Sequence, residues 1–209
     1  MLKIEVVKII CVGRNYSSHI KELANEKPIA PVLFLKPDTS ILQKNRPFYI
    51  PHFSSNIDYE AEVLIRINRI GKHIQAKFSH RYYEEITLGV DFTARIVQNQ
   101  LKSNGLPWEK SKSFDGSALI GEWFQKNEFE NINALSFNLK VNNRVVQYGN
   151  TSEMLWKIDD LISYISQYFT LKIGDIIFTG TPAGVGPISE NDVLVGHIED
   201  RQAFSVKIK

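Results

Sequence analysis

Between residues 57 and 67 the chain reads IDYEAEVLIRI, with apolar residues at every second position. Ile57, Tyr59, Ala61, Val63, Ile65 and Ile67 point one way, and Asp58, Glu60, Glu62, Leu64 and Arg66 the other. A period of two carried by β-branched residues predicts a half-buried strand. It also puts Glu60 and Glu62 on one face, roughly 6.7 Å apart over two strand rises. Carboxylates so close repel one another unless water, a shared proton or a cation intervenes. On a solvated edge strand such a pair carries no function. Hard cations such as Mg²⁺ or Mn²⁺ take carboxylate oxygens, so a third acid elsewhere would give the pair a purpose.

The 209 residues suffice for one sizeable domain, expected to span 1–209. Hydrophobic residues at 43% and charged ones at 23% are ordinary for a folded soluble protein, which argues against disorder. The formal charge of +2 is spread along the chain without a basic block, so no nucleic-acid partner is indicated. The single cysteine, Cys11, lies in the apolar run IICVG and reads as a buried thiol. Lys3, Glu5 and Lys8 interrupt the N-terminal apolar residues, unlike a signal peptide, and no segment reaches membrane-span length. A cytoplasmic protein without membrane contact is expected.

Residues 4–13 read as a strand ending at Gly13. Ser17 and Ser18 can cap a short helix carrying His19 and Glu22, and Pro28 stops it. His19 and Glu22 are spaced to meet, and a carboxylate beside an imidazole orients it and raises its basicity. An incidental surface ion pair is the alternative. Residues 32–36 form a short apolar strand, and the proline-bearing stretch after Gln43 forms a loop. Residues 86–92 read as a strand, with Thr93 capping a helix to about Ser103, ended by Gly105 and Pro107. Asp91 then sits where strand gives way to helix, a common place for a cleft residue. Arg95 and Gln98 share a helical face, and Arg95 suits bidentate grip of a carboxylate. Lys112 falls in a polar loop and by itself reads as solvated. Residues 137–148 predict a hairpin about Asn142-Asn143, and 152–169 an amphipathic packing helix. A strand then opens onto TPAGVGP, which lacks the GK[ST] of a phosphate loop but can receive a small anion on its N–H groups. Two strands about Asp200 end the chain. His73 and His80 have no partner at metal-ligand spacing and read as surface residues.

In order, VGRNYSSHIKE, LFLKP, DYEAEVLI, GVDFTARIVQ, LPWEKSKSFDG and GDIIFTGTPAGVG resemble the fumarylacetoacetate hydrolase family over residues 9 to the C-terminus. The chain looks most like its short acylpyruvase and oxaloacetate decarboxylase members. The resemblance implies an α+β, predominantly β fold, a mixed β-roll with few helices, and a homodimer. It implies Mg²⁺ or Mn²⁺ on Glu60, Glu62 and Asp91, and catalytic roles for His19, Glu22 and Lys112. It implies a small 2-oxo acid substrate bound by Arg14, Arg95, Gln98 and Thr181. The segments 43–56 and 124–135 match weakly and are expected to shape substrate choice.

Such a site lets a metal stabilise the enolate of a 2-oxo acid. With His19 activating water, the expected reaction is carbon–carbon hydrolysis of acylpyruvates to pyruvate and a carboxylic acid. Oxaloacetate decarboxylation, or isomerisation or hydration of an unsaturated oxo-diacid, would use the same groups. A non-catalytic protein binding oxo-acids is the reading from another class. The segment 13–28 is expected to be mobile without ligand and to close over it.

Overall fold

The computed structural model describes residues 6, 8–23 and 26–209. The first eight strands are β1 (Ile9–Gly13), β2 (Val32–Lys36), β3 (Ile57–Tyr59), β4 (Ala61–Ile67), β5 (Tyr83–Asp91), β6 (Thr93–Ala94), β7 (Ala118–Ile120) and β8 (Phe124–Gln125). Six more follow: β9 (Ser136–Val141), β10 (Arg144–Asn150), β11 (Ile176–Phe178), β12 (Gly186–Pro187), β13 (Val193–Ile198) and β14 (Arg201–Lys207). The helices are α1 (Ser17–Glu22), α2 (Ala76–Ser79), α3 (Arg95–Ser103), α4 (Glu109–Lys112) and α5 (Ile158–Tyr168).

The main sheet runs β2-β1-β11-β4-β5-β7, with β8 also paired to β5. The parallel pair β1–β11 lies among antiparallel neighbours, so the sheet is mixed. A second sheet has the order β10-β9-β13-β14, and a small third one the order β12-β3-β6. Val63, Ile65, Leu88 and Val90 of the main sheet share one buried cluster with Leu139 and Leu194 of the second and Leu161 and Ile165 of α5. The expected predominantly β, mixed roll with few helices is what forms.

The strand at 57–67 differs from expectation in two ways. It is not half-buried: Leu64 packs in a second cluster with Ile9, Cys11 and Phe178, while Glu60 and Glu62 are also buried. It also breaks at Glu60, where the chain leaves the small sheet for the main one. Covering both faces is what turns a pair of acids from a surface feature into an electrostatic problem.

Other boundaries move for local reasons. The first strand begins at Ile9, with residues 4, 5 and 7 outside the described ones. Ser17 and Ser18 lie inside α1 and do not cap it; the N-cap is Tyr16, without a side-chain bond. Thr93 is not a cap either, since α3 starts at Arg95 after Ala94, and the Thr93 hydroxyl binds elsewhere. The helix expected over 152–169 starts only at Ile158. Asn15 is the cause. Its carbonyl accepts the Leu155 N–H at 2.8 Å and its Oδ1 the Trp156 N–H at 2.9 Å, drawing residues 155 and 156 away from helical bonding. The hairpin forms as expected, with Asn142 and Asn143 both at positive φ.

Asn15 Nδ2 also donates to the Thr179 carbonyl at 2.8 Å, tying the end of β1 to the exit from β11. The next residue, Gly180, has φ +103, and a Cβ there would stand 2.7 Å from Asn15 Cβ. We expect Gly180→Ala to cost about 1–3 kcal/mol from backbone strain alone. For a chain of this size that lowers the thermal midpoint by about 2–4 °C per kcal/mol, read by circular dichroism. An unchanged midpoint would show that the 179–181 turn tolerates a side chain.

Candidate metal and oxo-acid site

The ladder between β4 and β5 assembles the acids. Ala61 pairs with Val90 and Glu62 with Gly89, and the Asp91 N–H donates to the Glu60 carbonyl at 2.9 Å. Glu60 and Asp91 are thereby neighbours across the sheet, and Glu62 lies two residues along. Each offers a carboxylate oxygen within 4.8 Å of the other two, and all three are buried.

Neighbouring cations answer most of this charge. Lys112, the last residue of α4, is 3% exposed rather than solvated. Its ammonium reaches Glu60 Oε2 and Asp91 Oδ2 at 2.7 Å each and donates to Thr93 Oγ1 at 2.6 Å. Lys36 pairs with the other Asp91 oxygen at 2.8 Å and donates to the Lys112 and Ser117 carbonyls. Arg95 donates from Nε to Asp58 at 2.7 Å, from Nη1 to Gln98 at 2.7 Å and from Nη2 to Glu60 at 2.5 Å. Its fork, expected to grip substrate, is engaged with the protein.

Glu62 stands apart. Among the described residues no cation lies within ion-pair distance of it; its Oε2 accepts only the Gly180 N–H, at 2.6 Å. Burial, then Asp91, then Glu60 push its carboxyl well above the usual value. Burial also pulls Glu60 upward, but Lys112 and Arg95 outweigh it and hold that carboxyl down. Among the described residues, cations pair with Glu60 and Asp91 and none with Glu62. An all-oxygen set of this kind suits Mg²⁺ or Mn²⁺. The residues present fit such an ion.

His19 is 6% exposed on α1, with Nδ1 3.2 Å from Glu22 Oε2. The other Glu22 oxygen accepts the Gly184 N–H at 2.9 Å. Burial lowers the His19 pKa, against the opposing pull of Glu60 and Glu22. Thr181 Oγ1 donates to the Ala61 carbonyl at 2.8 Å and accepts from Gln147 Nε2 at 2.9 Å.

All these candidates except Glu22 line one inner cavity of about 30 Å³, as does Arg14, whose backbone is left-handed (φ 61). An outer cavity of about 630 Å³ adjoins it, bordered by Glu22, Asp58, Arg95 and Lys102. Of the two weakly matching segments, only Asn56 reaches this outer space.

Three participants escaped the sequence reading. Lys36 had a signal, a lysine closing the apolar strand VLFLK. Asp58 lay on the acid face already identified. Gln147 had none: it is a polar residue in a hairpin strand, and only the fold brings it to the Ala61 N–H at 2.9 Å and to Thr181.

Residues 8–207 match the family described as fumarylacetoacetate (FAA) hydrolase C-terminal. The mitochondrial oxaloacetate tautomerase of Mus musculus is 39% identical over 201 residues, 96% of this chain and 91% of that protein. The mitochondrial oxaloacetate decarboxylase of Dictyostelium discoideum is 41% identical over 188 residues, 90% of this chain and 86% of that protein. The crystal structure of fumarylpyruvate hydrolase from Pseudomonas aeruginosa in complex with Mn²⁺ and pyruvate superposes with a TM-score of 0.92. It is 28% identical, covering 98% of this chain and 90% of that one. With the motif order, the roll and the clustered acids in agreement, the chain belongs to the fumarylacetoacetate hydrolase family.

Proposed function

We propose that this chain is a divalent-cation-dependent enzyme of small 2-oxo acids, with oxaloacetate as substrate and keto–enol tautomerisation as reaction. One observation carries the reading: among the described residues Glu62 is a buried carboxylate without a cation partner, beside Glu60 and Asp91 and in the same cavity as His19. Three side-chain oxygens are about half of what a hard cation takes, which favours an ion open to substrate over a structural one. The oxaloacetate activities named for the mouse and Dictyostelium relatives favour that substrate. The buried His19 favours turnover over binding alone.

Held by Glu60, Glu62 and Asp91, Mg²⁺ or Mn²⁺ would supply Lewis acidity toward the keto oxygen and adjacent carboxylate. The chain's own residues handle the proton. Glu22 takes the Nδ1 proton in a hydrogen bond and so leaves the Nε2 lone pair of His19 as the acceptor. Nε2 removes a proton from C3 of the keto form, the C–H electron pair becomes the C2–C3 double bond, the carbonyl π pair moves to the C2 oxygen, and Nε2 passes its proton to that oxygen, which restores the base. The reverse path returns the keto acid. Lys112 keeps a positive charge beside Glu60 and Asp91 and limits their repulsion of an anionic substrate.

Loss of CO₂ from oxaloacetate draws on the same stabilised charge at the C2 oxygen. Carbon–carbon hydrolysis of an acylpyruvate, the leading expectation from the sequence, is the second reading. The His19–Glu22 pair, suited to activating water, favours it, as does the likeness to the Pseudomonas hydrolase.

Chelation with EDTA should abolish enol-oxaloacetate conversion, followed by ultraviolet absorbance, and Mn²⁺ should restore it. Parallel assays of CO₂ release and acetylpyruvate cleavage rank the three reactions, and no turnover of any substrate would refute the proposal. His19→Ala should lower kcat by about 10²–10⁴-fold while calorimetric Mn²⁺ affinity stays within a few-fold. Glu62→Gln should do the reverse first, weakening Mn²⁺ binding more than tenfold. A base must be unprotonated to act, and burial holds His19 below its ordinary value of 6.5. The acid limb of kcat/KM should therefore fall below pH 6.5, with a plateau through neutrality. A limb above pH 7 would assign it to another group.

A further inference from the structure

Lys102 lines both the inner and the outer cavity. It lies on the stripe of α3 that carries Arg95 and Gln98, at spacings of three and four residues, and so shares their face. Seven residues separate it from Arg95, roughly 10 Å of helix rise. A lysine on a helix leans back toward the N-terminus, so its ammonium recovers part of that distance. Trp108 steadies it, with Nζ 5.2 Å from the ring centroid.

The other cations near the acids are committed. Lys112 donates to three protein oxygens, and each Arg95 nitrogen donates to one. Among the described residues, Lys102 has no carboxylate within ion-pair distance. Burial, then the charges of Arg95, Arg14 and Lys112, lower its pKa to about 8. A cation held among cations at a cavity mouth gains most from an arriving anion.

We infer that Lys102 binds the distal carboxylate of the substrate and so selects 2-oxo diacids over 2-oxo monoacids. The inference rests on the reading of this site as a 2-oxo acid site. The head of such a substrate, its 2-oxo carboxylate, faces Glu60, Glu62 and Asp91. Its far end lies toward the outer cavity, where Lys102 supplies the charge that Arg95 has spent on Asp58 and Glu60.

The test compares pyruvate with 3,3-difluorooxaloacetate, which shares the 2-oxo acid head, adds the second carboxylate and has no C3 proton to lose. Affinities for the Mn²⁺-loaded enzyme are measured by calorimetry. Wild type should bind the diacid at least tenfold more tightly than the monoacid. Lys102→Met should shrink that ratio about tenfold, Lys102→Arg should keep most of it, and Lys110→Met, on an exposed lysine of α4, should leave it intact. A ratio unchanged in Lys102→Met, or absent in wild type, overturns the inference even if oxaloacetate is turned over. A ratio lost in Lys102→Met while wild type fails to convert oxaloacetate upholds the inference and removes the tautomerase assignment.

Discussion

Four carboxylates gathered in one region of a protein interior demand compensation, and much of this structure serves to supply it. Among the described residues, Asp58, Glu60, Glu62 and Asp91 pair with three cations, the buried Lys36 and Lys112 and the half-buried Arg95. An uncompensated buried charge is costly enough that a carboxyl neutralises itself or finds a partner. The cations come from three separate places: the end of β2, the end of α4 and the start of α3. Closing the roll around the β4–β5 ladder is therefore also what neutralises it. The deficit is concentrated on Glu62 rather than shared, the condition under which a buried acid gains most from a bound cation.

The neutral cross-links do a different job. Asn15 joins the end of β1 to the exit of β11 and to residues 155–156. Gln147 reaches from β10 to the Ala61 N–H, between the two glutamates, and to Thr181. Both side chains are buried with every polar atom in use, the condition under which a buried amide specifies one arrangement. They fix the spacing between the acid-bearing strand and the loop after β11 without altering the charge balance.

Period-two alternation, the hairpin asparagines and the glycine-rich loop without GK[ST] were legible because each is a local rule acting on neighbouring residues. The candidate site was legible through the order of six motifs, not through any single spacing. Lys112 illustrates the gap: a lysine in SKSFDG reads as solvated until Glu60 and Asp91, 52 and 21 residues away, surround it. The late start of α5 has the same origin, since an asparagine 141 residues earlier takes the Trp156 N–H. Burial of the acid-bearing face was illegible for a related reason, because alternation reports one apolar face and says nothing of what covers the other.

The loop after β11 was expected to offer its N–H groups to a substrate anion, and the structure gives two of them other work. The Gly180 N–H binds Glu62, and the Gly184 N–H binds Glu22. One glycine loop thus orients a carboxylate of the acid cluster and the carboxylate bonded to His19. A side chain at either glycine would be strained at φ +103 and +97, where a Cβ would press on Asn15 and on the Val146 carbonyl. The consequence is geometric: the acid set and the His19–Glu22 pair are referenced to the same short stretch of backbone. Movement of α1 that leaves Glu22 on Gly184 preserves their alignment, whereas movement that breaks this bond frees His19 without disturbing Glu62.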